Sequence, residues 1–100
     1  MRNNPAVRSV GFSWYREEDY PRILKLMTDA DALPSTYSEW KMKAELNERA
    51  LQADGLTTFH AIIEPDEFPE WCKAHGQNAD AKGCSVFASE HTRRQVEDED

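Results

Sequence analysis

Apolar and polar positions alternate between Ser9 and Tyr15, with Val10, Phe12 and Trp14 set against Ser9, Gly11 and Ser13. A period of two predicts a strand with one buried face. The period then changes. In REEDYPRILKLMTD, Tyr20, Ile23, Leu24 and Met27 fall at i, i+3, i+4 and i+7, an apolar stripe down one side of a helix. Acidic residues ahead of the stripe and Pro21 in its first turn are helix-opening signals. DADALPS ends this helix, because Pro34 bars the residue before it from helical geometry.

The remaining pattern gives four more elements. Thr36 and Glu39 have the spacing of a capping box, so a helix is expected from there to about Ala53, with Gly55 as its stop. Leu56–Ile63, rich in β-branched and aromatic residues, predicts a second strand. EPDEFPEWCKAHG predicts a helix capped by Asp66 and stopped by Gly76. QNADAK has turn composition, and a last helix is expected from Cys84 to about Arg94. The expected fold class is α+β, in the order β-α-α-β-α-α. A small two-stranded sheet, open to extension by dimerisation, is covered by about four helices. The domain spans 9–94, between a flexible N-terminus (1–8) and an acidic disordered tail (95–100).

Two passages echo each other. Shifted by 48 positions, EDYPRILKLM (18–27) overlays DEFPEWCKAH (66–75), with an acidic pair, an aromatic, a proline, two apolar positions and a lysine in the same order. The stripe Tyr20, Ile23, Leu24, Met27 becomes Phe68, Trp71, Cys72, His75. Either a strand-to-helix unit is duplicated, or two such units share the signals that any strand feeding an amphipathic helix needs. If the units are equivalent, each runs from a strand into a helix with its proline, Pro21 or Pro69, in the first turn.

Charge sharpens the picture. The chain carries −7, all of it in residues 51–100, where four basic residues face eleven acidic ones; residues 1–50 balance at eight of each. An acidic half repels phosphate backbones, so direct nucleic-acid binding is not expected. No apolar run is long enough to cross a bilayer, and MRNNPAV lacks the apolar stretch of a signal peptide. A cytoplasmic protein with two reduced cysteines is therefore expected.

Cys72, His75, Cys84 and His91 raise the question of zinc. On one helix, seven residues put Cys84 and His91 about 10.5 Å apart along the axis, too far to share one ion. The order C-x2-H-x8-C-x6-H also matches no familiar zinc module. The echo sets Cys72 and His75 where Leu24 and Met27 stand, and Cys84, Phe87, Ala88 and His91 form a stripe of their own. Both patterns predict core packing, with Trp71 as an anchor, and no cofactor. The alternative is a metal-binding or small-molecule enzyme using Cys72, His75 and His60, with His60 as a base if a cleft opens beside its strand. The carboxylates at 17–19 and 64–67 are explained by the helix N-termini they precede.

The helix over 36–53 is apolar on two sides. Tyr37, Trp40, Ala44 and Leu51 cluster on one, Met42, Leu46, Ala50 and Ala53 on the other. One side covers the chain's own sheet; the other calls for a partner. The expected function is therefore a non-enzymatic interaction or regulatory module, a homodimer or a protein bound to another, contacting Met42, Leu46, Ala50 and Ala53. REEDY, LPSTYSEW and PDEFPEWCKAHG resemble stretches of short uncharacterised bacterial proteins of unknown function, over about residues 10–90. That resemblance implies no activity and no site residues.

Overall fold

The computed structural model describes residues 9–98, with side chains through residue 94. The segment expected to form a flexible N-terminus, residues 1–8, lies outside the described residues, as do residues 99–100. The expected α+β order is observed. Strands β1 (Ser9–Trp14) and β2 (Thr57–Ile62) alternate with helices α1 (Tyr20–Leu26), α2 (Tyr37–Ala53), α3 (Phe68–Ala74) and α4 (Ala81–Asp98). Single turns of 3-10 helix at Glu17–Asp19 and Ala30–Ala32 join them. No helix among the described residues is long and apolar enough to cross a membrane.

The strands pair in parallel, Ser9 opposite Thr57 through Trp14 opposite Ile62. That register is the 48-residue shift of the sequence echo, so the two strand-to-helix passages lie side by side. Pro21 and Pro69 both sit in the first turn of their seven-residue helices. Their missing N–H groups cost nothing there, because those amides have no helical partner. Tyr20 and Phe68, the aromatic residues at the start of each helix, are both fully buried. Arg16 and Glu64, the same position in each unit, face one another in a two-pronged ion pair at 2.9 and 3.0 Å.

Alternation along paired strands gives the sheet two distinct faces. Val10, Phe12, Trp14, Thr58, His60 and Ile62 share one, and α2 packs over β2 on that side. Gly11, Ser13, Phe59 and Ala61 share the other, which α4 covers. The α4 contact is close. A Cβ built on Gly11 would lie 2.4 Å from the Ala88 carbonyl oxygen and 2.2 Å from Thr92 Oγ1. Ala88 and Ala61 are completely buried as a result. Between the layers, Trp14, Tyr15, Tyr20, Ile23, Met27, Trp40, Ile63, Phe68, Cys72 and Cys84 form one continuous core.

Helix ends follow local chemistry. Thr36 Oγ1 accepts from the Glu39 N–H at the start of α2. At its end Gly55 takes φ 90°, with Leu56 N–H returning to the Leu51 carbonyl and Gly55 N–H to that of Gln52. Gly76, at φ 64°, closes α3 the same way through Gln77 to Cys72 and Gly76 to Lys73. Both stops are Schellman turns, and the left-handed φ is why glycine stands at each. The last helix differs from expectation. It begins at Ala81 rather than Cys84 and runs through Asp98, so residues 95–98, expected in a disordered tail, are helical. Asp80 and Asp29 explain the early start: Asp80 Oδ1 accepts from Gly83 N–H at 2.8 Å and Asp29 Oδ2 from Ala81 N–H at 3.0 Å.

Candidate functional site

Helix α2 is built with two sides because its sequence carries two stripes. The inner stripe is anchored first. Tyr37 donates its hydroxyl to the Tyr15 carbonyl at 3.0 Å, and Tyr20 donates to the Pro34 carbonyl at 2.6 Å just ahead of the helix. Trp40 is buried against Trp14, edge to face with ring centres 5.0 Å apart. Ala44 and Leu51 are half-buried along the same side. The outer stripe is bare: Met42 is 57% exposed and Leu46 56%. Ala50 and Ala53 continue it, both exposed. All four residues expected to meet a partner therefore lie on one open surface.

Below Trp40 the inner side of α2 turns polar. Glu48 Oε2 accepts from Thr58 Oγ1 at 2.6 Å and lies 3.0 Å from His60 Nε2, while Gln52 Nε2 donates to Thr58 Oγ1 at 3.0 Å. Burial pushes the Glu48 carboxyl up, but the hydrogen bonds from Thr58 and His60 outweigh it and hold the group below its ordinary value. The His60 ring lies flat on Trp14, ring centres 3.7 Å apart. A carboxylate-oriented imidazole has the form of a general-base pair. Here Glu48 also accepts from Thr58 and the imidazole lies on Trp14, and the network joins α2 to β2. Glu48 was not among the residues singled out from the sequence. It follows Trp40 and Ala44 at steps of four, so the inner stripe itself carried the signal.

The metal alternative separates in space. Cys72 is buried with Sγ 3.5 Å from the Asn78 carbonyl oxygen. His75 Nδ1 lies 2.9 Å from the Trp71 carbonyl oxygen, and His60 is committed to Glu48 on the other side of the sheet. Among the described residues no three His, Cys, Asp or Glu side chains converge on a point that could hold a metal ion. Cys84 is buried too, its Sγ 3.7 Å from the Tyr15 hydroxyl, and burial pushes its thiol up to about 11. Burial raises the Cys72 thiol as well. Neither is a poised nucleophile, since the thiolate is the reactive form.

Two expected core residues lie elsewhere. His75 is exposed; α3 ends at Ala74, and the imidazole stacks on Trp71 at 4.3 Å instead of entering the core. His91 is exposed as well, stacked on Phe87 at 5.8 Å. The buried line of α4 steps through Cys84, Ala88 and Thr92, leaving His91 on its flank. Trp71 is half-buried, a shared wall between α3 and α4 more than a core anchor.

Cavities adjoin these elements. One, of about 290 Å³, lies between Phe12, Trp14, Leu33, Trp40 and Lys43. Another, of about 120 Å³, is lined by Glu64, Glu67, Phe68, Trp71 and Phe87. Compared with known proteins, the chain matches no family model, no curated protein and no solved structure.

Proposed function

We propose that the protein is a cytoplasmic, non-enzymatic interaction module that self-associates through the outer stripe of α2. The observation that supports this reading is the exposure of Met42 and Leu46, which share one helical side with Ala50 and Ala53. From Met42 to Ala53 the stripe runs about 16 Å along the helix axis. Contiguous exposed apolar patches on folded domains mark interaction sites. Charge favours a second copy as the partner. Residues 37–53 hold Lys41, Lys43 and Arg49 against Glu39, Glu45 and Glu48, so the helix is neutral within a chain of −7. Two copies can lay this stripe together about a two-fold axis without like-charge repulsion at the contact. Direct nucleic-acid binding is not part of this reading, because the acidic second half opposes it.

Leu46→Glu tests the proposal. A carboxylate placed in that contact would lose its hydration without a partner. The variant is expected to elute as a single chain at concentrations where the wild type elutes as two, with unchanged helical circular dichroism. A variant that keeps the wild-type mass would count against the stripe as the contact.

A further inference from the structure

We propose that the notch between α3 and α4 binds an alkylated ammonium head group. It is lined by Phe68, Trp71 and Phe87 together with Glu64 and Glu67. The Trp71 and Phe87 rings stand at 89° with centres 5.2 Å apart, forming a corner. The buried Phe68 ring lies nearly parallel to Trp71 at 5.9 Å, and His75 and His91 stack on Trp71 and Phe87 at 4.3 and 5.8 Å. Aromatic faces carry negative quadrupole density, and such corners attract cations whose charge is spread over methyl or methylene groups. The carboxylates point to the same ligand class. A neutral apolar guest would offer Glu67 nothing in return for displaced water, whereas a cation compensates the loss.

The site is organised before any ligand arrives. The Glu64 carboxylate accepts from Arg16 Nη1 and Nη2, and its backbone carbonyl accepts from the Glu67 and Phe68 N–H groups at 3.0 and 2.8 Å. Glu67 makes no side-chain cap to α3, so its carboxylate is not consumed by the helix. Arg16 neutralises Glu64, which leaves Glu67 as the other acidic residue of the lining. Glu90, 3.7 Å from the His75 imidazole that stacks on Trp71, adds to the negative field, as does the acidic balance of residues 51–100. A volume of about 120 Å³ is below the roughly 300–1,000 Å³ of sites that engulf whole small molecules. It suits a head group or one side-chain end. The notch uses none of Met42, Leu46, Ala50 or Ala53, so it stands independently of the α2 contact.

Choline and its uncharged carbon isostere 3,3-dimethylbutan-1-ol differ in charge and hardly in shape. Titrated at constant ionic strength and followed by the Trp71 indole N–H resonance, choline is expected to give a saturable shift. The isostere should bind at least about tenfold more weakly. Glu67→Gln should weaken choline several-fold and leave the isostere unchanged, with the Trp14 and Trp40 indole signals showing an intact fold. Phe87→Leu should erase the preference for choline by removing one ring while keeping the apolar volume. A peptide carrying trimethyllysine, compared with its unmodified lysine form, identifies the source: tighter binding than choline assigns a protein partner, equal or weaker binding a free small molecule. Equal affinity for choline and the isostere, or a Trp71 shift no larger than sodium chloride produces, would overturn the proposal.

Discussion

Helices α2 and α4 are nearly the same length, 17 and 18 residues, and cover opposite faces of the same two strands. They do so in different ways. Helix α4 approaches until its backbone touches β1, with Gly11 leaving room for Ala88 and Thr92. Helix α2 is held at its start by Trp40 and Tyr37 and farther along by the Glu48–Thr58–His60 network. The difference lies in what each helix spends its apolar surface on. Helix α4 places Cys84 and Ala88 in the interior. Helix α2 keeps Met42 and Leu46 outside, exposed among the described residues. Close packing makes α4 a wall of the fold, whereas α2, seated through polar contacts, leaves an apolar stripe exposed.

The largest expected effect lies on the α4 side. Phe68→Ala would empty a buried site against Trp71 and Phe87 and should cost about 3–5 kcal/mol in urea unfolding. Gly11→Ala comes next, at about 1–3 kcal/mol, because the new methyl meets the Ala88 carbonyl and Thr92 Oγ1 and α4 must move away. If Gly11→Ala were neutral, the two helices would not differ in their closeness to the sheet.

On the α2 side, Glu48→Gln should cost about 1 kcal/mol at neutral pH. The sign with pH is fixed by the depressed carboxyl. Its contribution is present above the ordinary value of 4.5 and fades as pH falls through the lower folded value, so wild type and variant should converge in acid. A gap that persisted at low pH would mean that shape rather than charge seats the helix. The smallest effect on stability is expected from Leu46→Glu, within about 0.5 kcal/mol. A large loss there would move the outer stripe into the core.

Much of this was legible in local chemistry. Pro21 and Pro69, the Thr36 cap and the stops at Gly55 and Gly76 each act within one turn of chain, so residue type alone predicts them. The 48-residue echo placed the strand-to-helix units, and the outer stripe of α2 could be read from a helical wheel. What was not legible depends on partners distant in sequence. The start of α4 was hidden because Gly83 lowers helix propensity, yet a Cβ there would sit 2.0 Å from the Asn78 carbonyl oxygen, so glycine is required. The positions of His75 and His91 depended on where the buried lines of α3 and α4 end, which the echo does not encode. The parallel pairing of the strands, and the choice of opposite sheet faces by α2 and α4, likewise come from tertiary packing.

Sedimentation equilibrium of the wild-type chain over a wide dilution series tests the central claim most directly. The account predicts a species of two chains at high concentration, dissociating on dilution to one chain of 11.5 kDa. A single 11.5 kDa species at every concentration would contradict it.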